Sequence, residues 1–329
     1  MDNVDEKEYS IEILLPDRKC DREYELYNRN VKVYKYECSS YKKKIVQFYR
    51  FLKTKKYDVI HFHTGNEAAL LSIVAKVAGN KKIIIHSHTT MSGDENKKIF
   101  HQNLKKIIFA ISKLIYRNMS LCVACSDQAG QFMFGYNGKY KVLENGIDLK
   151  CFYCIDKSRE EYSFCVNARF DPQKNPYFII DIVNEIVKRE PSTFLKWVGA
   201  GYMEKDIKKY TKELRLEKHV EFLGTTENVE KILWNNKYFL FPSKYEELGI
   251  VLIETQAAGL KCFASDKVPH LANCGGVKEI SLNKTAKEWA DIILNEMKNK
   301  TELCVDEEKL KKFDIHYTVK KLENIYDKI

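Results

Sequence analysis

Short apolar runs that alternate with amphipathic stretches constrain the fold of this 329-residue chain most strongly. In the second half these runs are continuous, as in SFCVN, so both faces of each predicted strand are expected to be buried. The stretches between them are long enough for crossover helices, which parallel strands require. The predicted strands there are 162–169, 193–199, 220–224, 238–243 and 261–266, and the predicted helices are 176–190, 202–216, 227–236 and 250–260.

The first half repeats this alternation. Its predicted strands are 10–15, 31–37, 57–63, 81–88 and 121–126, with helices at about 42–56, 66–79 and 96–117. The pattern predicts an α/β fold with two doubly wound, Rossmann-like domains. The carboxyl ends of their sheets are expected to face a shared cleft.

The turn-like Asn-Gly in ENGIDLKCF marks the predicted domain boundary. We predict an N-terminal domain over 1–148 and a C-terminal domain over 149–312. A C-terminal helix over 313–329 is expected to pack back toward the N-terminal domain.

The positive charge of the chain is concentrated in its first half. Lys and Arg exceed Asp and Glu by nine between Met1 and Lys150, which equals the net charge of the whole chain. A basic half of this kind suits an anionic partner such as lipid headgroups, a diphosphate or nucleic acid. A solvated Lys-rich surface explains the charge excess equally well. The sequence shows neither a membrane-spanning run nor a signal peptide, so we expect a cytoplasmic protein.

Ten cysteines in a cytoplasmic chain are expected to be reduced thiols. Two Cys-x-x-Cys pairs occur, Cys122 with Cys125 and Cys151 with Cys154. Their separation is longer than in common zinc ribbons and no histidine is suitably placed nearby, so we predict no zinc site on them.

Charged residues follow several of the predicted strands in the second half. Arg169 and Lys174 lie in NARFDPQKN, where two cations after the first strand of a domain suit a diphosphate. Glu246 and Glu254 lie eight residues apart in YEELGIVLIE, with Gly249 between them at the start of a predicted helix. A helix N-terminus binds anions, and Glu254 can accept hydrogen bonds from a cis-diol. The alternative for an isolated motif of this kind is a solvated surface helix.

The segments SFCVNARFDPQKN, VGAGYMEKDI, VEFLGTTENVEKIL, LFPSKYEELGIVLIETQAAGL and VLENGID together resemble a retaining glycosyltransferase of the GT-B fold, family 4. The bacterial capsular and exopolysaccharide enzymes are the most similar subgroup, and the similarity runs from about Tyr57 to the C-terminus. It implies transfer of a sugar from a nucleotide diphosphate-sugar to a glycan or a polyprenyl-diphosphate-linked acceptor. It implies no nucleic-acid partner and no cofactor or metal, and the chain contains no Asp-x-Asp motif.

The resemblance assigns roles to particular residues. Glu246 would contact the donor sugar and Glu254 the ribose hydroxyls. Arg169 and Lys174 would bind the diphosphate and stabilise the leaving group, and His88 would contact the transferred sugar. Further donor-binding positions are Gly199, Gly201, Leu248, Gly249 and Ile250.

Three other histidines lie at predicted strand ends. His86 is expected to share a strand face with His88, and His61 and His63 are acceptor-side candidates. Glu247 stands where the family usually has glycine, and its carboxylate is expected either to repel a diphosphate or to turn outward.

The start of the chain also departs from the family. No glycine precedes Gly65, so the first strand and the glycine-rich loop of the family are expected to be missing. The sequence therefore predicts nucleotide binding through the C-terminal half, with poor transfer by the chain as given. A non-catalytic nucleotide-sugar-binding homologue or partner subunit, and a GT-B sugar-nucleotide epimerase, remain open alternatives.

The predicted helix at 96–117 has an apolar stripe opposite a basic one. It is expected to cover the N-terminal sheet. Its basic face also suits weak, peripheral association with an anionic membrane surface at the inner face of the membrane.

Overall fold

The computed structural model describes residues 3–17, 26, 31–37, 40–63, 67–88, 110–116, 119, 121–153, 159–299 and 304–329. The chain divides into two compact units. One comprises Met1–Asn145 with His316–Ile329, and the other comprises Gly146–Ile315. Of the predicted helix 96–117, residues 110–116 are helical and the rest lies outside the described residues. None of the helices that the structure describes has the length and apolar character needed to cross a membrane.

The strands are β1 Glu12–Pro16, β2 Lys32–Tyr36, β3 Ile60–Phe62, β4 Ile83–Ser87, β5 Leu121–Ala124, β6 Lys141–Val142, β7 Ser163–Asn167, β8 Phe194–Val198, β9 Val220–Gly224, β10 Tyr238–Phe241, β11 Lys261–Ser265 and β12 Val277–Ile280. We number the helices α1 Tyr41–Thr54, α2 Glu67–Val77, α3 Asp127–Phe134, α4 Pro176–Val187, α5 Glu204–Glu213, α6 Val229–Trp234, α7 Ile250–Ala257, α8 Ala286–Lys298, α9 Glu307–Lys311 and α10 Ile315–Asp327.

The first unit contains a parallel pair, β1 with β2, and a four-stranded parallel sheet in the order β3-β4-β5-β6. Every residue of β4 is buried, as its continuous apolar sequence requires. Ile83 and Ile85 pack into a cluster with residues of α1, α2 and α3. Ile84 points to the opposite face, where it packs with Val123 and with Ile325 of α10. The C-terminal helix therefore covers the second face of this sheet.

The second unit contains six parallel strands in the order β9-β8-β7-β10-β11-β12. Chain order therefore runs outward in one direction from β7 and in the other from β10. Leu240 of β10 faces a cluster with Trp197 and Trp289, whereas its neighbour Phe239 faces a second cluster with Ile253. Both faces of the sheet are thus covered, and the predicted α/β class with parallel sheets is confirmed.

Most predicted elements in the second unit are present but end earlier than predicted. The helix predicted over 250–260 stops at Ala257, because Gly259 adopts the left-handed conformation with φ +78°. The helix predicted over 202–216 is α5, and Arg215 after it has φ 59°. Elements that the sequence reading missed are α3, β6, β12, α8 and α9.

Candidate functional site

A buried ion pair lies beyond the carboxyl ends of β7 and β10, the two adjacent strands at which the sheet order reverses. Lys174 follows β7 at the end of the short 3₁₀ turn Pro172–Lys174, and Glu246 lies in the loop after β10. Lys174 Nζ is 2.5 Å from Glu246 Oε1, and the two side chains are 14% and 7% exposed. Ligands of doubly wound sheets bind at this switch point. The predicted site residues of these two loops therefore do meet.

The two loops are joined by hydrogen bonds that hold this pair in place. The bonds run from Lys244 N to Gln173 O (2.8 Å), from Gln173 Nε2 to Tyr245 O (3.0 Å) and from Asn175 Nδ2 to Pro242 O (3.3 Å). Asp171 caps the turn, because its carboxylate accepts a hydrogen bond from the Lys174 amide at 3.2 Å. The position of Lys174 is thus set by loop structure on both sides.

The two predicted diphosphate ligands have different surroundings. The Lys174 ammonium lies 5.2 Å from the centroid of the Phe241 ring, in a partly apolar position. Arg169 is 71% exposed and pairs with Asp171 at 3.2 Å. Because the Arg169 side of this pair is exposed, the pair contributes little to stability, and the guanidinium can exchange partners at small cost. Lys174 is therefore a fixed charge and Arg169 an adaptable one.

Gly249 precedes the first residue of α7, at a position where the backbone requires glycine. Its φ of +80° is the left-handed region, and a Cβ there would lie 3.3 Å from Val268 Cγ1 and 3.4 Å from Phe241 Cε1. Leu248 is buried and Ile250 is exposed. The first amides of a helix have no acceptor within the helix, which makes this end of α7 suited to an anion. Glu254 lies just over one turn along α7 and is half-buried.

The backbone around Gly199 and Gly201, the two glycines after β8, leaves no room for a side chain. A Cβ on Gly199 would lie 2.1 Å from the carbonyl oxygen of Ala168, and one on Gly201 would lie 2.5 Å from that of Phe170. The loop after β8 thus packs directly on the backbone that leads to Arg169. These contacts give both glycines a role in shaping the loop after β7.

Glu247 is exposed, next to Glu246. Partial desolvation, and secondarily the neighbouring Glu246 carboxylate, raise the pKa of Glu247. The raised pKa shows that a negative charge at this position is less favourable than in water.

The first unit brings four histidines together at the carboxyl ends of β3 and β4. His61 Nε2 is 3.2 Å from His86 Nδ1, and His63 Nδ1 is 2.9 Å from His88 Nε2. Ring contacts connect the two pairs: the His61 and His63 rings are stacked with centroids 4.2 Å apart, and the His86 and His88 rings are tilted with centroids 4.1 Å apart. His88, the predicted sugar contact, is therefore one of a group of four imidazoles.

Residues distant in sequence complete the group. Tyr326 of α10 places its hydroxyl 2.8 Å from His61 Nδ1, and Asn145 Oδ1 is 3.1 Å from His88 Nδ1. Desolvation lowers the pKa of all four histidines, to about 4 for His63 and about 2 for His86. His63 is desolvated by the rings of His61 and His88 that stack on it, although the residue as a whole is exposed. All four rings are therefore neutral at pH 7. In the neutral form, one nitrogen of each ring has a lone pair that can accept a hydrogen bond or bind a metal ion.

The sequence reading missed the pairing within this group. Its one sequence signal is the repeated His-x-His spacing of residues 61 and 63 and of residues 86 and 88. Because alternate residues of a strand share a face, two such motifs on adjacent parallel strands place their side chains together. The contacts with Asn145 and Tyr326 have no local signal.

The two Cys-x-x-Cys pairs differ in their surroundings. Cys122 and Cys125 are buried, and burial raises the pKa of the Cys122 thiol to about 12. Cys151 is exposed, and Cys154 lies outside the described residues. Cys122 therefore packs as a small apolar side chain.

Glycosyltransferase family models match both halves of the chain. Residues 4–150 match the family model Glycosyltransferase Family 4, and residues 155–306 match Glycosyl transferases group 1. The putative glycosyltransferase EpsF of Bacillus subtilis is 28% identical over 72% of this chain. An Escherichia coli UDP-Gal:alpha-D-GlcNAc-diphosphoundecaprenol alpha-1,3-galactosyltransferase is 26% identical over 68%. The chain spans 65% and 62% of the lengths of these two relatives.

A solved structure shares the fold at low sequence identity. The crystal structure of Anabaena Alr3699/HepE in complex with UDP superposes with a TM-score of 0.79 and 14% identity. The match covers 97% of this chain and all of that chain.

Proposed function

The chain belongs to the GT-B glycosyltransferases of family 4, and from this premise we propose that it is a retaining sugar transferase. Its second unit would bind a nucleotide diphosphate-sugar. The acceptor would be a glycan or a polyprenyl-diphosphate-linked saccharide in capsular or extracellular polysaccharide synthesis. The Escherichia coli relative is named for a reaction of this kind, and the HepE structure holds UDP.

The observation that carries the proposal is the Lys174–Glu246 pair at the switch point of the second sheet. An ammonium group fixed there can bind the diphosphate of a donor, and the N-terminus of α7 adds a second favourable potential. Glu246 retains one carboxylate oxygen for a sugar hydroxyl while the other contacts Lys174. Glu254 would accept hydrogen bonds from the ribose hydroxyls of the nucleotide.

The reaction breaks the bond between the anomeric carbon and the phosphate oxygen of the donor. The acceptor oxygen forms its bond on the same face of the sugar, and its proton moves to the leaving phosphate oxygen. Negative charge develops on that phosphate, and Lys174, Arg169 and the amides at the start of α7 would stabilise it. These groups supply the charge that a metal ion supplies in other transferases, so we propose that the diphosphate needs no divalent cation.

His88 would contact the transferred sugar, with its orientation fixed by Asn145. The excess of basic residues in the first half suits a weakly held anionic membrane surface, where lipid-linked acceptors are found. We place the protein in the cytoplasm, at the inner face of the membrane.

Product analysis tests the proposal. The purified chain is incubated with UDP-, GDP- and ADP-sugars and a lipid-linked saccharide, and the new linkage is identified by NMR. We expect that transfer by the chain is slow, that the linkage it forms has the anomeric configuration of the donor, and that it forms equally in the presence of EDTA. A product of inverted configuration would refute retention. Epimerised donor formed without acceptor would identify an epimerase, and binding without turnover would identify a non-catalytic homologue.

A further inference from the structure

We propose that His61, His63 and His86 form a binding site for Zn²⁺ or a similar borderline divalent cation in the first unit. One imidazole nitrogen from each residue lies within 4.8 Å of the other two. In a tetrahedral site with zinc–nitrogen bonds of about 2.0–2.1 Å, ligand nitrogens lie about 3.3 Å apart. His61 Nε2 and His86 Nδ1 are already 3.2 Å apart. Small side-chain rotations would bring in the third ring.

One buried nitrogen in the cluster lacks a hydrogen-bond partner. His86 is 5% exposed, and its Nε2 makes no hydrogen bond of good geometry with the residues that the structure describes, although the Leu143 backbone interacts with the ring. Leaving a buried polar atom unpaired costs about 1–3 kcal/mol, so a site that keeps one has a reason to do so. The ion would bind His86 through Nδ1, which faces His61 Nε2, and a turn of the His86 ring on binding would give Nε2 a partner.

The hydrogen bonds around the cluster match those of a metal site. Ligating histidines usually engage their second ring nitrogen with a neighbouring polar group, which fixes the ring. The Tyr326 hydroxyl occupies Nδ1 of His61 in this way. Asn145 Oδ1 accepts a hydrogen bond from His88 Nδ1–H, so Nε2 of the neutral His88 ring carries a lone pair. That lone pair accepts a hydrogen bond from His63 Nδ1–H, which leaves the lone pair of His63 on Nε2. Tyr326 and His88 are therefore positioning residues for His61 and His63.

The chemistry of the ligand set selects the ion. Imidazole nitrogens suit zinc, copper and nickel, whereas magnesium and manganese prefer oxygen ligands. Three imidazoles leave one coordination position open, as in catalytic zinc sites, and the exposure of His63 leaves that position open to solvent. All ligands of this ion lie in the first unit, whereas the groups proposed to bind the donor diphosphate lie in the second.

Metal titration tests the site directly. The full chain is stripped with a chelator, dialysed, and titrated with Zn²⁺ by calorimetry and with Co²⁺ by visible absorption. We expect one equivalent to bind, with the Co²⁺ spectrum of a tetrahedral nitrogen site and a raised melting temperature, because an ion that binds only the folded state stabilises it. Binding of less than one equivalent, or a cobalt–thiolate charge-transfer band, would overturn the site.

Three variants locate the ion. His63→Ala removes an exposed ligand with little risk to folding and should weaken binding at least tenfold. Tyr326→Phe keeps the ring but removes the hydroxyl, and should weaken binding about 10–100-fold. His270→Ala removes an exposed histidine of the second unit and should leave the affinity for the metal ion unchanged. Unchanged affinity in both His63→Ala and Tyr326→Phe, or an equal loss in His270→Ala, would overturn the proposal.

Discussion

Replacing Lys174 by Met should separate the folding role of the Lys174–Glu246 pair from its binding role. In this variant the Glu246 carboxylate, which is 7% exposed, loses the Lys174 ammonium that lies 2.5 Å away. Removing one partner of a buried ion pair costs about 3–5 kcal/mol, because the remaining charge stays buried. Lys174 retains some exposure, so we expect a loss near the lower end, about 3 kcal/mol, in urea denaturation.

The double variant Lys174→Met with Glu246→Leu should recover most of this stability. Replacing both members of a buried pair by apolar residues is often neutral or stabilising. Nucleotide affinity should behave differently. Both variants should bind UDP or GDP about 10–150-fold more weakly, since a hydrogen bond to a charged group contributes about 1.5–3 kcal/mol.

Lys261→Met is a control in the same unit, because Lys261 forms a partly buried pair with Glu296 at 2.6 Å, and Glu296 keeps a second partner, Lys278, at 2.8 Å in the variant. It should lose stability but keep its nucleotide affinity in calorimetry. If the double variant regained full affinity together with stability, Lys174 would have only a structural role. Equal affinity loss in Lys261→Met would show that binding follows stability alone.

Three further predictions concern other parts of the chain. Glu254→Gln should weaken binding of free UDP or GDP, whereas Glu246→Gln should weaken only that of the nucleotide-sugar; equal losses for the free nucleotide would refute this division. Lys261 and Lys278 lower the pKa of Glu296 from 4.5 to about 2, so the stability they confer is present above pH 4.5 and is lost as pH falls towards 2. Glu296→Gln should thus cost about 1.5–3 kcal/mol at pH 7 in urea denaturation, a deficit that shrinks below pH 4.5, and a constant deficit would contradict this reasoning. Anionic liposomes should retain the protein at low salt and release it at high salt, because ions screen exposed charges beyond about 10 Å at 0.1 M; equal retention on neutral liposomes would argue against an electrostatic contact.

The fold was largely predictable because its strands are continuous apolar runs. β9 was predicted to the residue, since Val220–Gly224 is bounded by polar sequence on both sides. β6 and β12 were missed because one has two residues and the other, VKEI, is half polar. The start of α3 has a local signal in the sequence, the N-cap Ser126, whose side chain accepts a hydrogen bond from the Ala129 amide.

The candidate site was predictable in its residue types and less so in its geometry. The motifs predict Lys174 and Glu246 as donor-site residues, and these two are 72 residues apart, but nothing local indicates that they form a buried pair. The His61–Tyr326 contact joins residues 265 positions apart, so only tertiary packing creates it. Long-range pairs of this kind depend on the whole fold.

Titration of the full chain with UDP-, GDP- and ADP-sugars in a calorimeter tests the central claim most directly. We predict that at least one nucleotide-sugar binds with one-to-one stoichiometry, and that Lys174→Met with Glu246→Leu weakens its binding at least tenfold while remaining folded. Failure of every nucleotide-sugar to bind, or undiminished affinity in that folded double variant, would contradict a donor site at the carboxyl ends of β7 and β10.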